Sequence, residues 1–292
     1  MRKFILGTDW WSDCDDAVAV RLLTGAHKRG DIELIGVAIN AAMEYSAASL
    51  DAFLNLDGCK NIPIGIDLSA TGFAGKTLYQ ERLAPSAVKY KSNSDAESAV
   101  KLYRRLLSAS DSKVEIIEIG FLQVFAELLM SLGDEISDKS GIELVREKVA
   151  RVWVMAGKWD ADGESEHNFN LNERTISGGQ IFTQKCPVPI TFLGWEVGFD
   201  VRTGGTLPHT DHLWQVLSDH GSGNGRSSWD PMLTLLAIKG DAEAAGYREV
   251  RGTARLDDEG RNYFTENEGG MHSYVVKTKD NDYYKNEINH LL

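Results

Sequence analysis

The sequence predicts an α/β fold: an open, mostly parallel, twisted sheet with helices on both faces. Short apolar runs alternate with longer patterns of helical period from the first residues onward. Strands separated by helices argue for parallel βαβ units with right-handed crossovers. The 292 residues are 42% hydrophobic and 25% charged, which is ordinary for a globular chain and long enough for a sizeable core.

Residues 3–8 read as a first buried strand, followed by a helix over 15–27 with Ala17, Val20 and Leu23 at helical spacing. A second strand over 33–39 leads to a helix over 45–56. Further strands are expected at 114–119, 150–155 and 188–193, with the clearest intervening helices at 96–108 and 121–132. Residues 68–95, rich in Ser, Gly, Ala and Lys, read as an excursion from the core. Residues 203–228 read as a long loop region around one short helix, and loops of that length are often functional. Residues 247–255 and 272–277 are expected as late strands forming an edge hairpin. No internal repeat or low-complexity linker forces a boundary, so one domain over residues 1–292 is expected.

Thirty-one Lys and Arg against 43 Asp and Glu leave a formal charge of −12. That balance repels phosphate backbones and anionic lipid, arguing against nucleic-acid and membrane partners. Cys14, Cys59 and Cys186 are sparse and far apart, giving neither a disulfide framework nor a zinc site. The N-terminal apolar run is too short for a signal peptide, so a cytoplasmic protein is expected.

The strongest local feature is Thr8-Asp9-Trp10-Trp11-Ser12-Asp13-Cys14-Asp15-Asp16-Ala17, with four carboxylates directly after the first strand. Ligands of open parallel sheets bind beyond the carboxyl ends of the strands, where this cluster falls. Capping of the next helix by Ser12 or Asp13, with Asp15 or Asp16 in its first turn, accounts for some of these residues but leaves Asp9 over. Four like charges this close call for a cation. Oxygen donors suit Ca²⁺ or Mg²⁺ rather than zinc, and the loop lacks the Gly and closing Glu of an EF-hand. Polar or turn residues recur at other strand ends: Asn40, Ile119-Gly120, Gly157-Lys158-Trp159 and Glu196. Glu166-His167-Asn168-Phe169-Asn170 precedes a helical pattern and offers donors and acceptors for sugar hydroxyls, or a polar helix entry. Trp229-Asp230-Pro231 opens a helix over 232–238, with Asp at the N-cap and Pro in the first turn.

Taken in order, these segments resemble the inosine–uridine-preferring nucleoside hydrolase family, over residues 3 to about 238. The family's Asp-Thr-Asp-x-Gly-x-Asp-Asp-Ala signature corresponds to Thr8-Asp9 with Asp15-Asp16-Ala17. Its Asn after the second strand corresponds to Asn40, and its Thr-Gly-x-Leu-Thr-Asn turn to Ile119-Gly120-Phe121-Leu122-Gln123. Its Glu-x-Asn and Asp-Pro segments correspond to Glu166-His167-Asn168 and Asp230-Pro231. The resemblance implies Ca²⁺-dependent hydrolysis of N-ribosidic bonds, releasing free base and ribose. It implies Asp9, Asp16 and Asp230 as side-chain calcium ligands and Ile119 as a carbonyl ligand. Asp9 would also take the proton of the attacking water. Asp15, Glu166 and Asn168 would hold the ribose hydroxyls with support from Asn40, and a homodimer or homotetramer is implied.

The chain departs from that pattern in three places. Trp10-Trp11 replace small residues in a loop two residues longer, which adds Asp13. Trp229 stands where many members carry the His that protonates the leaving group, and His167 replaces an aromatic or apolar residue beside the ribose. His167 is therefore a candidate acid, or a packed or solvated side chain. Trp10, Trp11, Trp159 and Trp229 are candidate walls of a leaving-group pocket that stacks a flat purine; the alternative is core packing. Two other functions compete: a calcium- and ribose-binding relative without turnover, and a metal-dependent phosphohydrolase using Asp13 and Asp15 as an Asp-x-Asp pair.

Overall fold

The computed structural model describes residues 1–72 and 77–292. Residues 73–76, inside the expected excursion, lie outside the described residues. The strands are β1 (Arg2–Thr8), β2 (Ile32–Ile39), β3 (Ile64–Ile66), β4 (Glu97–Ser98), β5 (Val114–Glu118), β6 (Val149–Met155), β7 (Ile190–Leu193), β8 (Arg202–Thr203), β9 (Arg226–Ser227), β10 (Tyr247–Leu256), β11 (Asn262–Glu266) and β12 (His272–Lys277). Ten of them form one sheet in the order β11-β10-β12-β7-β6-β5-β1-β2-β3-β4, and β8 pairs with β9 separately. Every pairing from β12 to β4 is parallel, while β10 runs antiparallel to both β12 and β11. The expected late hairpin is thus three strands: β12 inserts beside β7, and the unanticipated β11 forms the edge.

Strand side chains alternate between two cores, as the two-residue period requires. Phe4, Leu6, Ile117, Trp153 and Met155 pack on one face, with helices Asp15–Arg29 and Trp229–Lys239. Ile5, Ile116, Val152 and Val154 pack on the other, with helices Ala99–Ala109, Gln123–Met130 and Glu173–Lys185. Both faces are covered, which is why these strands read as continuous apolar runs. Among the described residues no helix is long and apolar enough to cross a membrane.

The chain winds outward from β1 through β2, β3 and β4, then returns to place β5 on the other side of β1. That reversal makes a crevice at the carboxyl ends of β1 and β5, where such folds bind ligands. The registers level the strand ends, with Thr8 opposite Ile39, Gly7 opposite Glu118, Glu118 opposite Val154 and Met155 opposite Leu193. Asp9, Asn40, Ile119 and the loop after Met155 therefore lie along one rim.

One carboxylate sits inside the sheet itself. Glu118 is 1% exposed, accepts a hydrogen bond from the Tyr103 hydroxyl, and fills the space left by Gly7, where a Cβ would lie 2.0 Å from its carboxylate. Burial pushes its pKa from 4.5 up to about 8. A carboxyl with a raised folded-state pKa binds more protons folded than unfolded, so stability falls as pH rises from about 4.5 to about 8. Glu118→Gln is expected to flatten that window, measured as thermal unfolding of both proteins from pH ~5 to ~9. Parallel curves would contradict it.

Candidate active site

The crevice between β1 and β5 opens into a cavity of about 290 Å³. It is lined by Asp9, Asp13, Asp15, Asp16, Glu166 and Asp230, by Trp11, His167, Trp195 and Trp229, and by Ser12, Ile119, Met155 and Asn168. Six carboxylates and no Lys or Arg stand in that lining.

The acidic loop is not a helix cap. Helix Asp15–Arg29 has Cys14 at its N-cap with no side-chain capping bond, so neither Ser12 nor Asp13 caps it. Asp13 instead accepts Arg226 Nε at 2.7 Å and a second bond from Arg226 Nη2. Asp15 and Asp16 occupy the first helical turn at 3% and 2% exposure. Asp230 meets them from the first turn of helix Trp229–Lys239, whose N-cap is Ser228 rather than Asp230 itself. Carboxylate oxygens of Asp15, Asp16 and Asp230 come within 4.8 Å of one another. Asp15 accepts the Asp230 amide at 3.1 Å, and Asp16 accepts the Thr8 hydroxyl and, at 3.2 Å, the Trp10 amide.

Burial first, and then the neighbouring carboxylates, push Asp9, Asp15 and Asp230 well above the usual carboxylate range. Burial likewise raises Asp16 to about 6. Taking several like charges out of water this closely is unfavourable unless a cation neutralises them. The donor set is all oxygen, with the Ile119 segment beside it, and suits a hard divalent cation.

Asp9 is set by two close approaches. A Cβ on Gly120 would lie 2.4 Å from the Asp9 amide nitrogen and 2.7 Å from Asn40 Oδ1, so only glycine lets the two strand ends converge. Asn40 is 1% exposed and stands behind the cavity wall: Oδ1 accepts the Phe121 amide, its carbonyl accepts Gln123 Nε2, and Nδ2 has no partner. Trp10 follows at φ 45°, the one non-glycine positive φ among the described residues. Such backbone costs about 1–3 kcal/mol and persists when its surroundings hold it. Here Trp10 Nε1 donates to Ser49 Oγ at 2.9 Å, its ring packs on Phe53 and Tyr79, and its carbonyl accepts Gln80 Nε2. Tyr79 and Gln80 belong to helix Leu78–Leu83, which the sequence reading of the excursion did not resolve. The turn buries Trp10 and leaves Trp11 lining the cavity.

Across the cavity, Glu166 caps the short helix His167–Asn170. Its carboxylate accepts the Asn168 amide at 3.0 Å and the Gly157 amide at 3.0 Å, and burial raises it to about 7. Asn168 Nδ2 donates to the Met155 carbonyl at 2.8 Å, and Asn168 lines the cavity. Between them His167 is exposed, its ring parallel to Trp11 at 6.1 Å.

The structure divides the four tryptophans expected around the leaving group. Trp11 and Trp229 line the cavity, whereas Trp10 and Trp159 do not. Trp159 is 5% exposed, donates Nε1 to the Ala156 carbonyl, and packs on Phe169, Phe192, Phe264 and Tyr274. Trp159, expected from the sequence at the substrate, thus lies in the core and outside the cavity lining: the chain after β6 turns at Gly157 and folds the indole back. Trp159→Ala is expected to lower unfolding stability by about 3–5 kcal/mol in denaturant titration. Trp195, not singled out from the sequence, lines the cavity instead, stacked on Phe199 at 4.4 Å and on Trp229 at 6.3 Å. Its signal was its position: it follows β7 on the same rim, next to Glu196.

No family model and no curated protein matches the chain. Solved structures do. A plant nucleoside hydrolase superposes with a TM-score of 0.74 at 14% identity, over 99% of this chain and 98% of that one. The inosine-uridine preferring nucleoside hydrolase from Bacillus anthracis gives 0.69 at 16% identity, over 100% and 99%. The type III effector protein XopQ, complexed with adenosine diphosphate ribose, gives 0.70 at 15% identity, over 99% and 93%. Likeness of this extent at such low identity is likeness of architecture, and the chain has the nucleoside hydrolase fold.

Proposed function

We propose that the chain is an N-ribosyl hydrolase that cleaves the N-glycosidic bond of ribonucleosides with a calcium ion, releasing free base and ribose. The observation that supports this reading most is the meeting of Asp15, Asp16 and Asp230 within 4.8 Å at the crevice of a nucleoside hydrolase fold, with Asp9 and Ile119 lining the same cavity. Asp9, Asp16, Asp230 and the Ile119 carbonyl would hold the ion. When bound, such an ion offsets the buried negative charge and makes a neighbouring water more acidic. Asp9 would accept that water's proton at its carboxylate. Asp15, Glu166 and the Asn168 carbonyl oxygen would hold the ribose hydroxyls, with Asn40 fixing the rim behind them. As the bond to the base breaks, its electron pair leaves with the base, which would take a proton from solvent, and the water oxygen would bond to the anomeric carbon; the sugar meanwhile gains oxocarbenium character, and the surrounding carboxylates favour that positive charge.

The aglycone would lie among Trp11, His167, Trp195 and Trp229, where a planar base can stack. A lining of six carboxylates without Lys or Arg favours an uncharged nucleoside over a nucleotide. It also disfavours the phosphohydrolase reading, as does the engagement of Asp13 by Arg226. Chromatography of a ribonucleoside panel tests the proposal: free base should accumulate from at least one riboside. Base stacking is worth about 1–3 kcal/mol, so Trp229→Ala is expected to lower kcat/KM on purine ribosides by about 10- to 100-fold. Unchanged kinetics would remove the aromatic slot. One observation favours a second reading, a calcium- and ribose-binding protein without turnover: an indole at position 229 supplies no acid for the leaving group. In that case ribose with calcium raises the melting temperature and no riboside yields free base.

A further inference from the structure

The loop residue Asp13 lines the cavity, while its partner Arg226 stands outside the lining. Asp13, Cys14 and His220 offer ligand atoms within 4.8 Å of one another, but the cation already present there is the Arg226 guanidinium. Arg226 lies on β9, positioned by its two-residue pairing with β8. It holds Asp13 through two nitrogens, and Asp13 Oδ1 also accepts the Cys14 amide at 2.6 Å. The guanidinium carbon lies 5.1 Å over the Trp229 ring centroid, while Arg226 itself is absent from the cavity lining. The same indole is fixed from two other directions. Its Nε1 donates to the Trp195 carbonyl at 2.8 Å, and a Cβ on Gly198 would meet the Trp229 Cα at 2.6 Å.

We propose that Arg226, clamped by Asp13, is a positioning residue for the aglycone: it ties the acidic loop after β1 to the Trp229 wall and fixes that indole where the base stacks. The inference rests on the proposed riboside site and deepens it. A planar, always-charged guanidinium suits both tasks, since it pairs bidentately with a carboxylate and lies flat on an aromatic face. Asp13 then acts through Arg226 rather than on substrate. This assigns the extra acidic residue of the loop a role in recognising the base, separate from holding the ion or the sugar.

The test compares affinities for two ligands in the presence of calcium, read by titration calorimetry. One is D-ribose, which has no aglycone. The other is a carbocyclic purine nucleoside, which lacks the ring oxygen that an oxocarbenium-like transition state requires. Arg226→Gln and Asp13→Asn are each expected to weaken the purine nucleoside about five- to tenfold while ribose stays within about twofold. Arg226→Lys, which keeps a cation opposite Asp13, should recover part of the loss. It also carries the comparison if Arg226→Gln does not fold. Equal weakening of both ligands, or of neither, would overturn the positioning role. A wild-type protein that binds neither ligand would instead overturn the riboside site itself, and the inference with it.

Discussion

Asp9→Asn is expected to yield a folded protein whose kcat on its best riboside falls by about 10²- to 10⁴-fold, the range for losing a general base. The substitution is nearly isosteric, and an amide cannot take up the water's proton. Asp9 lines the cavity at the end of β1 and accepts the Trp11 amide within its own loop; because it is also a proposed ligand of the ion, kcat is compared at saturating calcium. KM should move far less than kcat, because the sugar contacts assigned to Asp15, Glu166 and Asn168 remain. A fall in KM affinity with kcat intact would place Asp9 in binding rather than proton transfer.

Asp230→Asn carries the second large effect, and it has two opposite signs. Turnover is expected to fall by about 10³-fold, equivalent to several kcal/mol of lost charge stabilisation. The calcium-free protein, by contrast, should be more stable than wild type, because a buried carboxylate raised by burial and by Asp15, Asp16 and Asp9 has been neutralised. Wild type should gain about 2.7 kcal/mol at calcium near 100 times its Kd, a melting shift of about 5 °C, and the variant should gain little. Thermal unfolding with and without calcium reads both signs. Equal calcium responses in the two proteins would remove Asp230 from the ion's ligands.

Much of the frame was legible because burial on both faces leaves continuous apolar runs. The strands expected at 3–8, 33–39 and 150–155 lie within a residue of Arg2–Thr8, Ile32–Ile39 and Val149–Met155. What escaped was set by tertiary pairing. β11 is short and half-polar and exists because β10 and the loop at Glu164 pair with it. The helix Leu78–Leu83 hides in a polar stretch, and its value lies in what Tyr79 and Gln80 hold. In the site, Asp9 is placed by its strand end, since a parallel sheet brings those ends to one rim, whereas Asp15, Asp16, Glu166 and Asp230 reach the cavity from helix starts. The tryptophans could not be placed this way, because their direction depends on local turns: positive φ at Trp10 exchanges the fates of two adjacent indoles, and the turn at Gly157 sends Trp159 inward. Local sequence offers Asp13 as a cap or as half of an Asp-x-Asp pair, whereas its partner Arg226 lies 213 residues away.

The claim that joins fold, cluster and chemistry is that a divalent ion held by these carboxylates drives cleavage of a riboside. Initial rates of reducing-sugar release from a nucleoside panel, with EDTA and then with calcium restored, test it most directly. Turnover should be abolished by EDTA and restored by calcium. Turnover indifferent to EDTA would contradict the ion's role, and release from no riboside at all would contradict the reaction.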